Sequence, residues 1–321
     1  MKRRLLKYLV CPECRKGFGI KVSEGNAGEI VTATLVCSGC GKTYPVVGGV
    51  PRILRRLSGV ERRTAAAFGY EWKNFREHYG YYEAQFLSWI HPIKPDFFRG
   101  KVVLDAGCGM GRNMYYAAKY GSKDVIGVDL SEAVDAAYQL VKDLPNAHVV
   151  QCDIYSLPFR QPFDYVFSIG VLHHLPSPTR GFGSLLAVLK RGGTISVWVY
   201  GKEGNFLVRT VGSFIRVNVT SKLPHGLLKA LCYPLAGVLH VLAKYIYKPL
   251  GFSWLPYGKY FIALADFDFR NKLSIIFDHL VPPIAFYISR AELKGWFSAS
   301  RLHKVIVSSR YDNSWRGVGV K

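Results

Sequence analysis

Residues 102–111 read VVLDAGCGMG, in which a short apolar run ends in an acid and three glycines follow. The apolar run predicts a buried β-strand, and the glycines predict a tight turn whose backbone can approach a ligand closely. A helix that starts after such a turn offers unpaired N–H groups to polar ligand atoms. The stretch therefore predicts a strand–turn–helix unit at a nucleotide-cofactor site.

Two cofactor classes use a glycine-rich turn of this kind. The dinucleotide fingerprint is G-x-G-x-x-G, but Arg112 stands where its third glycine would fall, and Gly111 comes one residue too early. NAD and FAD are therefore disfavoured. S-adenosylmethionine has no pyrophosphate to hold, and it carries an amino-acid group and a sulfonium that an acid such as Asp105 can help to orient.

Strand and helix patterns alternate around this turn, which is typical of a parallel α/β sheet. The carboxyl ends of such strands meet at one edge of the sheet, where ligands bind. Asp129 ends the second strand and can accept hydrogen bonds from both ribose hydroxyls, while Asp153 ends the third and is predicted to hold the adenine amino group. Leu130 or Ile154 would lie against the ring. One such acid often only caps a turn, but three in succession favour a shared crevice.

At this point the sequence resembles the class I S-adenosylmethionine-dependent methyltransferase family, nearest the small-molecule branch that includes quinone-biosynthesis methyltransferases. The resemblance covers roughly residues 100–200 and rests on residues 104–111, Asp129, Asp153 and SIGVLHHL at 168–175. It implies an α/β, Rossmann-like sheet of seven strands, the last antiparallel, with helices on both faces. The residues then predicted to bind S-adenosylmethionine are Asp105, Gly107, Cys108, Gly109, Gly111, Asp129, Leu130, Asp153, Ile154 and Ser168.

Methyl transfer from a sulfonium is an in-line displacement, so the protein mainly positions the acceptor and removes a proton where one must leave. The loop at 170–176 is expected to face the sulfonium. His173 or His174 is predicted to act as the general base. The alternative is that one or both of them only pack or hydrogen-bond locally.

The N-terminal region contains two CxxC pairs, Cys11 with Cys14 and Cys37 with Cys40. Four thiolates in this pattern predict a closed tetrahedral zinc site with a structural role, the alternative being four unmetallated thiols. Zinc could contribute on the order of 10 kcal/mol to the folding of so small a unit. Paired cysteines of this type also favour a reducing compartment, so we expect a cytoplasmic protein.

Residues 204–265 contain no acidic residue but seven lysines and arginines, and they are predicted to form a basic helical insertion. A helical pattern over 227–248 is interrupted by Pro234. The apolar stretch between Lys229 and Lys244 is shorter than the roughly 20 residues that a bilayer span needs. The insertion is therefore expected to be either a lid over the active site or a peripheral contact with the inner membrane surface.

Five regions follow from these patterns. They are a zinc ribbon at 1–55, a helical aromatic linker or lid at 56–100, the cofactor-binding core at 101–203, the basic helical insertion at 204–285, and closing strands at 286–321.

A formal net charge of +21 draws anionic partners without saying which. The Asn/Asp-Pro-Pro-aromatic motif of nucleic-acid amino-methyltransferases is absent after the fourth strand, and so is the cysteine that cytosine-C5 enzymes need. The sequence therefore predicts an S-adenosylmethionine-dependent methyltransferase that acts on a small-molecule or lipid-linked acceptor, with oxygen the favoured atom. RNA is the less favoured partner, and an RNA methyltransferase is the alternative function. A noncatalytic zinc-ribbon adaptor is a third hypothesis, disfavoured by the intact cofactor motif.

Overall fold

The structure is a computed structural model that describes residues 1–26, 28–55, 57–75, 77, 79–160 and 163–321. The remaining residues of the predicted regions lie outside this description. The β-strands are β1 (Phe18–Gly25), β2 (Ile30–Cys37), β3 (Thr43–Val47), β4 (Val50–Ile53), β5 (Val102–Ala106), β6 (Asp124–Asp129), β7 (Ala147–Cys152), β8 (Phe163–Ile169), β9 (Leu189–Tyr200), β10 (His303–Arg310) and β11 (Ser314–Val320).

The helices alternate with the strands in the core and follow one another in the insertion. They are α1 (Gly59–Asn74), α2 (Tyr82–Ile90), α3 (Arg112–Lys119), α4 (Ala133–Val141), α5 (Pro178–Val188), α6 (Ser213–Asn218), α7 (His225–Val241), α8 (Gly258–Leu264), α9 (Phe269–Leu280) and α10 (Arg290–Ala299).

All these strands join one sheet, in the order β1-β2-β3-β4-β7-β6-β5-β8-β9-β11-β10. Strands β5 to β9 pair in parallel, whereas β11 runs antiparallel between β9 and β10. The strand order reverses between β5 and β8, and ligands bind at such a switch point. The predicted α/β methyltransferase sheet, with its antiparallel last strand, is confirmed.

Neighbouring residues of a strand serve two separate cores, because successive side chains point to opposite faces. Leu104 joins a core that includes Phe182 of α5 and Phe297 of α10. Val103 joins a core on the other face that includes Phe86 of α2 and Met114 of α3. Helices therefore cover both faces of the sheet.

The cysteine unit is built onto the core sheet. β4 pairs in parallel with β7, where Arg52 is opposite Gln151, so β1 to β4 extend the sheet beyond its seven expected strands. The fully buried Asp124 accepts a hydrogen bond from Tyr8 and lies 2.8 Å from Nε of Arg4. These contacts attach the unit to the core at two places, the carboxyl end of β7 beside the site and the amino end of β6.

Two helices show how a cap and packing decide where a helix runs. Ser289 caps α10, with its hydroxyl accepting from the Glu292 amide at 3.1 Å. The predicted interruption at Pro234 is wrong, because α7 runs through this residue and a π-helical segment continues it to Tyr247. Side chains on both sides of the proline pack against α9, which stabilises the helix despite the lost hydrogen bond.

Candidate active site

The turn after β5 has the shape that the glycines predict. Gly107 has φ +84°, and a Cβ there would lie 2.2 Å from Cγ2 of Val171, so only glycine fits. Gly109 donates its amide hydrogen to Oδ2 of Asp129 at 2.9 Å. The turn therefore approaches the loop after β8 on one side and the acid that ends β6 on the other.

A large cleft opens at this turn, with about 1730 Å³ of empty space out to its mouth. We call its two ends the strand-end half, formed by Gly107, Gly109, Arg112, Asp129 and Asp153, and the distal half, formed by Tyr200, Tyr260, Asp278, His279 and Arg310. The predicted site residues that line the cleft are Gly107, Cys108, Gly109, Asp129, Leu130, Asp153, Ile154 and His174.

Four predicted residues do not line the cleft. They are Asp105, Gly111, Ser168 and His173. Gly111, at φ +88°, sits where a Cβ would lie 3.0 Å from Ala137, so its role is in packing α3 against α4. The Ser168 hydroxyl donates to the Ala106 carbonyl oxygen at 2.8 Å and holds β5 to β8. Gly111 and Ser168 therefore support the site through helix packing and strand pairing, without lining the cleft.

Asp105 is fully buried, and its carboxyl oxygens have no hydrogen-bond partner among the described residues. Burial, with the charge of Asp129 adding to it, raises the pKa of Asp105 well above its usual value. This shift disfavours the charged form of Asp105, so its position behind the turn does not match the predicted contact with a sulfonium.

Asp129 keeps capacity for a ligand although it is already hydrogen-bonded. Oδ1 accepts from the amide and the hydroxyl of Ser131, at 2.8 and 2.7 Å, and Oδ2 accepts from Gly109. A carboxylate has about four lone-pair sites, so it can still accept from ribose hydroxyls. Its neighbours orient it, and the glycine turn leaves open space in front of it.

Asp153 lines the cleft within a small ionic network. Its Oδ1 accepts from the Tyr155 amide at 2.9 Å, and its Oδ2 pairs with Arg55, which also pairs with Glu61 of α1. The predicted contact of Asp153 with an adenine amino group would have to use the remaining lone pairs of this carboxylate. The network also fixes α1 across the cleft.

The two histidines of the β8 loop have different environments. Nδ1 of His174 lies 2.7 Å from the Ile284 carbonyl oxygen, which can only accept, so this nitrogen carries the hydrogen. Nε2 of His174 then keeps its lone pair and is buried without a partner among the described residues. Burial lowers the pKa of His174, so the ring is neutral at pH 7. His173 stacks on Tyr200, with ring centroids 4.0 Å apart.

The distal half contains polar residues that the sequence patterns did not single out. The Tyr200 hydroxyl donates to Oδ2 of Asp278 at 2.7 Å, and the Ser274 hydroxyl donates to Oε1 of the buried Glu71 at 3.0 Å. Burial, and then the charge of Asp278, raises the pKa of Glu71 well above its usual value. Glu71 belongs to the region at 56–100 that was predicted to be a helical aromatic linker or lid.

Two arginines of the cleft lining lie near the ring of Trp89. The guanidinium carbon of Arg112 lies 5.1 Å from the Trp89 ring centroid, and that of Arg310 lies 5.3 Å from it. Burial lowers the pKa of Arg310 to about 10, so the side chain remains a cation at neutral pH. Its Nε donates to the Ser88 hydroxyl at 2.9 Å. Only tertiary folding brings both cations to one ring.

The four cysteines of the N-terminal unit converge as predicted. Their sulfur atoms all lie within 4.8 Å of one another, with Cys14 and Cys37 at 3.3 Å and Cys11 and Cys40 at 3.7 Å. Zinc–sulfur bonds of about 2.3 Å place tetrahedral ligands about 3.8 Å apart. The cluster therefore fits a structural zinc ion with no open coordination position.

Comparison with known proteins identifies both parts of the chain. Residues 103–193 match the family model described as Methyltransferase domain, and residues 2–49 match the model described as Trm112p-like protein. The chain contains a class I methyltransferase domain. This confirms the predicted S-adenosylmethionine-dependent methyltransferase and its cofactor at the level of that domain.

The chain also resembles named proteins over part of its length. It is 34% identical over 130 residues to the tRNA U34 carboxymethyltransferase of Pseudoalteromonas translucida, and 31% identical over 159 residues to that of Shewanella loihica. These matches cover 39% and 47% of this chain, which spans only 39% and 43% of the respective relatives. The solved DhpI-SAM-HEP complex superposes with a TM-score of 0.51 at 15% identity, covering 83% of this chain and all of that one, which shows a shared fold.

These comparisons correct two predictions. The prediction of a small-molecule or lipid-linked acceptor is wrong, because the matching relatives are named for a tRNA and the N-terminal region matches the Trm112p-like model. The ranking of RNA as the less favoured partner is wrong for the same reason. The missing amino-methyltransferase motif and the missing cysteine argue against two kinds of acceptor atom, but they do not argue against RNA as a whole.

Proposed function

We propose that this methyltransferase modifies RNA, with tRNA as the substrate class and S-adenosylmethionine as the donor. The observation that carries the proposal is the likeness of the cofactor region to enzymes named for tRNA U34. The chain has 43 lysines and arginines but only 22 acidic residues. The resulting positive potential supports the proposal, because it attracts a polyanion such as RNA. The absent motifs argue against exocyclic amino groups and cytosine C5, so we propose an oxygen acceptor.

The strand-end half would hold the donor. Asp129 would accept hydrogen bonds from the ribose hydroxyls, and the turn at Gly107 and Gly109 would let the backbone approach the amino-acid part. Arg112, beside this turn, would pair with the donor carboxylate. The bound donor supplies an electrophilic methyl group, and the protein supplies its orientation.

The distal half suits a nucleobase that has left its stack. Trp198, Tyr260 and Phe267 provide ring faces in the cleft lining, and Asn271 and Asp278 provide polar atoms at its edge. Enzymes that act on a base must take it out of the stack and hold it between aromatic or apolar side chains. Arg310 would contact a carbonyl or phosphate oxygen of the acceptor nucleotide.

His174 is our proposed general base. It lines the cleft, it is neutral at pH 7, and its unpaired Nε2 can take a proton from an acceptor hydroxyl. The Ile284 carbonyl fixes the ring in the tautomer that this step requires. His173 lies outside the lining, so its proposed role is to support Tyr200 by packing.

The test uses the full chain with methyl-labelled S-adenosylmethionine and separate pools of tRNA, ribosomal RNA, lipid extract and small-molecule extract. We expect label in tRNA, which nuclease digestion and mass spectrometry would assign to one nucleoside. The mass increment distinguishes a methyl group from a carboxymethyl group. Label confined to lipid or small molecules would contradict the proposal, and donor binding without label in any pool would favour the adaptor hypothesis.

A further inference from the structure

The helix formed by α7 and its continuation, His225–Tyr247, has 23 residues but only 28% of its most apolar window is buried. One face is covered by the rest of the protein. It carries Leu228, Cys232 and Ala236, which pack with Leu273 and Phe277 of α9. A helix needs one apolar face to join a globular core, and this face fulfils that need.

A second apolar face of the same helix points to solvent. Its residues recur at intervals of three and four, so they form one continuous row. We call this row the apolar stripe, and its members, each 48–60% exposed, are Leu227, Leu231, Leu235, Val238, Val241 and Tyr245. Contiguous exposed apolar surface of this kind marks an interaction site.

The rest of the insertion adds to this surface. Sixteen of the 22 large apolar side chains that are exposed in the described part of the chain lie between residues 206 and 254. Phe214 and Trp254 are 69% and 77% exposed. The exposure is therefore concentrated in one segment of the molecule.

The charges of the insertion point to the chemistry of the partner. Residues 204–265 contain seven cations and no acid. Lys222, Lys244 and Lys248 are exposed, and Nζ of Lys244 lies 5.7 Å from the ring centroid of Tyr245 in the apolar stripe. Anionic phospholipid complements both features, since its head groups attract cations and its acyl region accepts apolar side chains.

We infer that the insertion docks on the surface of an anionic phospholipid bilayer through the apolar stripe. The helix lies along the bilayer rather than across it, because its opposite face is packed on α9 and cannot be surrounded by lipid. Tyr245 and Trp254 have the amphipathic rings that favour the head-group region. The inference does not depend on the identity of the acceptor.

The experiment is flotation of the full chain with vesicles of phosphatidylcholine alone or mixed with phosphatidylglycerol. We expect binding to the mixed vesicles that weakens with salt and is reversed by alkaline carbonate. The variant Leu231→Glu/Leu235→Glu/Val238→Glu should bind at least about tenfold more weakly, since charged side chains are disfavoured at the acyl boundary. The matched control Val22→Glu/Val47→Glu/Ile306→Glu alters exposed apolar residues outside the insertion and should bind as the parent does.

Donor affinity and circular dichroism verify that both triple variants are folded. Several results would overturn the inference. They are no vesicle binding by the parent chain, equal binding by the two triple variants, and a dimer in light scattering that only the stripe variant dissociates. Resistance to alkaline carbonate would also overturn it, because that would indicate a spanning helix.

Discussion

The strand-end half of the cleft draws its polar groups from three neighbouring strand ends, whereas the distal half draws them from β9, α8, α9 and β10. In the first, Asp129 is oriented by Gly109 and Ser131, which are close to it in sequence or in the adjoining turn. In the distal half, the Tyr200 hydroxyl donates to Asp278, which is 78 residues away in the sequence. The difference teaches that the donor site is a local property of the sheet edge, while the acceptor site depends on how the insertion and the closing strands pack.

The substitution His174→Gln is expected to have the largest effect. His174 adjoins both halves of the cleft, and its loss should affect the chemical step without affecting donor binding. We expect kcat to fall by about 10²- to 10⁴-fold, the usual contribution of a general base, with donor affinity unchanged. The pKa of His174 lies below its usual value, so the parent rate should stay high below pH 6.5 and fall only as the ring becomes protonated. The variant should lose this acidic limb in a pH–rate profile. His173→Gln is the matched control and should keep it.

Asp129→Asn tests the strand-end half. The variant loses charge-assisted hydrogen bonds worth about 1.5–3 kcal/mol, so donor affinity should fall roughly 10- to 100-fold. Calorimetric titration with S-adenosylmethionine measures this directly. The exposed Asp143→Asn should titrate like the parent chain, and undiminished affinity in Asp129→Asn would mean that the donor binds elsewhere.

The two arginines beside Trp89 allow a paired test of the comparison. Arg310→Gln should raise the KM for tRNA about tenfold, the loss of one charge-assisted contact, and leave donor affinity alone. Arg112→Gln should instead weaken donor binding and leave the KM for tRNA unchanged. If both variants change the KM for tRNA, or both change the donor affinity, the two halves do not act as separate sites.

Glu71→Gln should have the smallest effect, on stability. The pKa of Glu71 is raised in the folded state, so folding binds a proton above pH 4.5 and stability falls as pH rises from there to the raised value. Glutamine removes this cost, and the variant should be more stable near pH 8 by about 1 kcal/mol or more. Urea unfolding at pH 4 and pH 8 measures the change. The exposed Glu24→Gln should show no such pH dependence.

Much of the strand-end half could be predicted because its signals are short in sequence. The glycines and the acid of residues 102–111 encode the turn, and Asp129 lies at the next strand end, as parallel pairing requires. Asp105 fits the same pattern but is buried behind the turn and does not line the cleft, since the sequence does not reveal which side of a strand end faces the ligand. The acceptor class was predicted wrongly because net charge attracts nucleic acid and lipid alike.

The sequence alone determined the order of strands and helices, the cysteine cluster and the donor-side turn, because each depends on residues a few positions apart. Only the tertiary structure decided that the cysteine unit extends the sheet, that Arg112 and Arg310 share Trp89, and that the apolar stripe of α7 remains exposed. These contacts join residues tens to hundreds of positions apart. No short pattern encodes such contacts, because they form only when whole elements pack against one another.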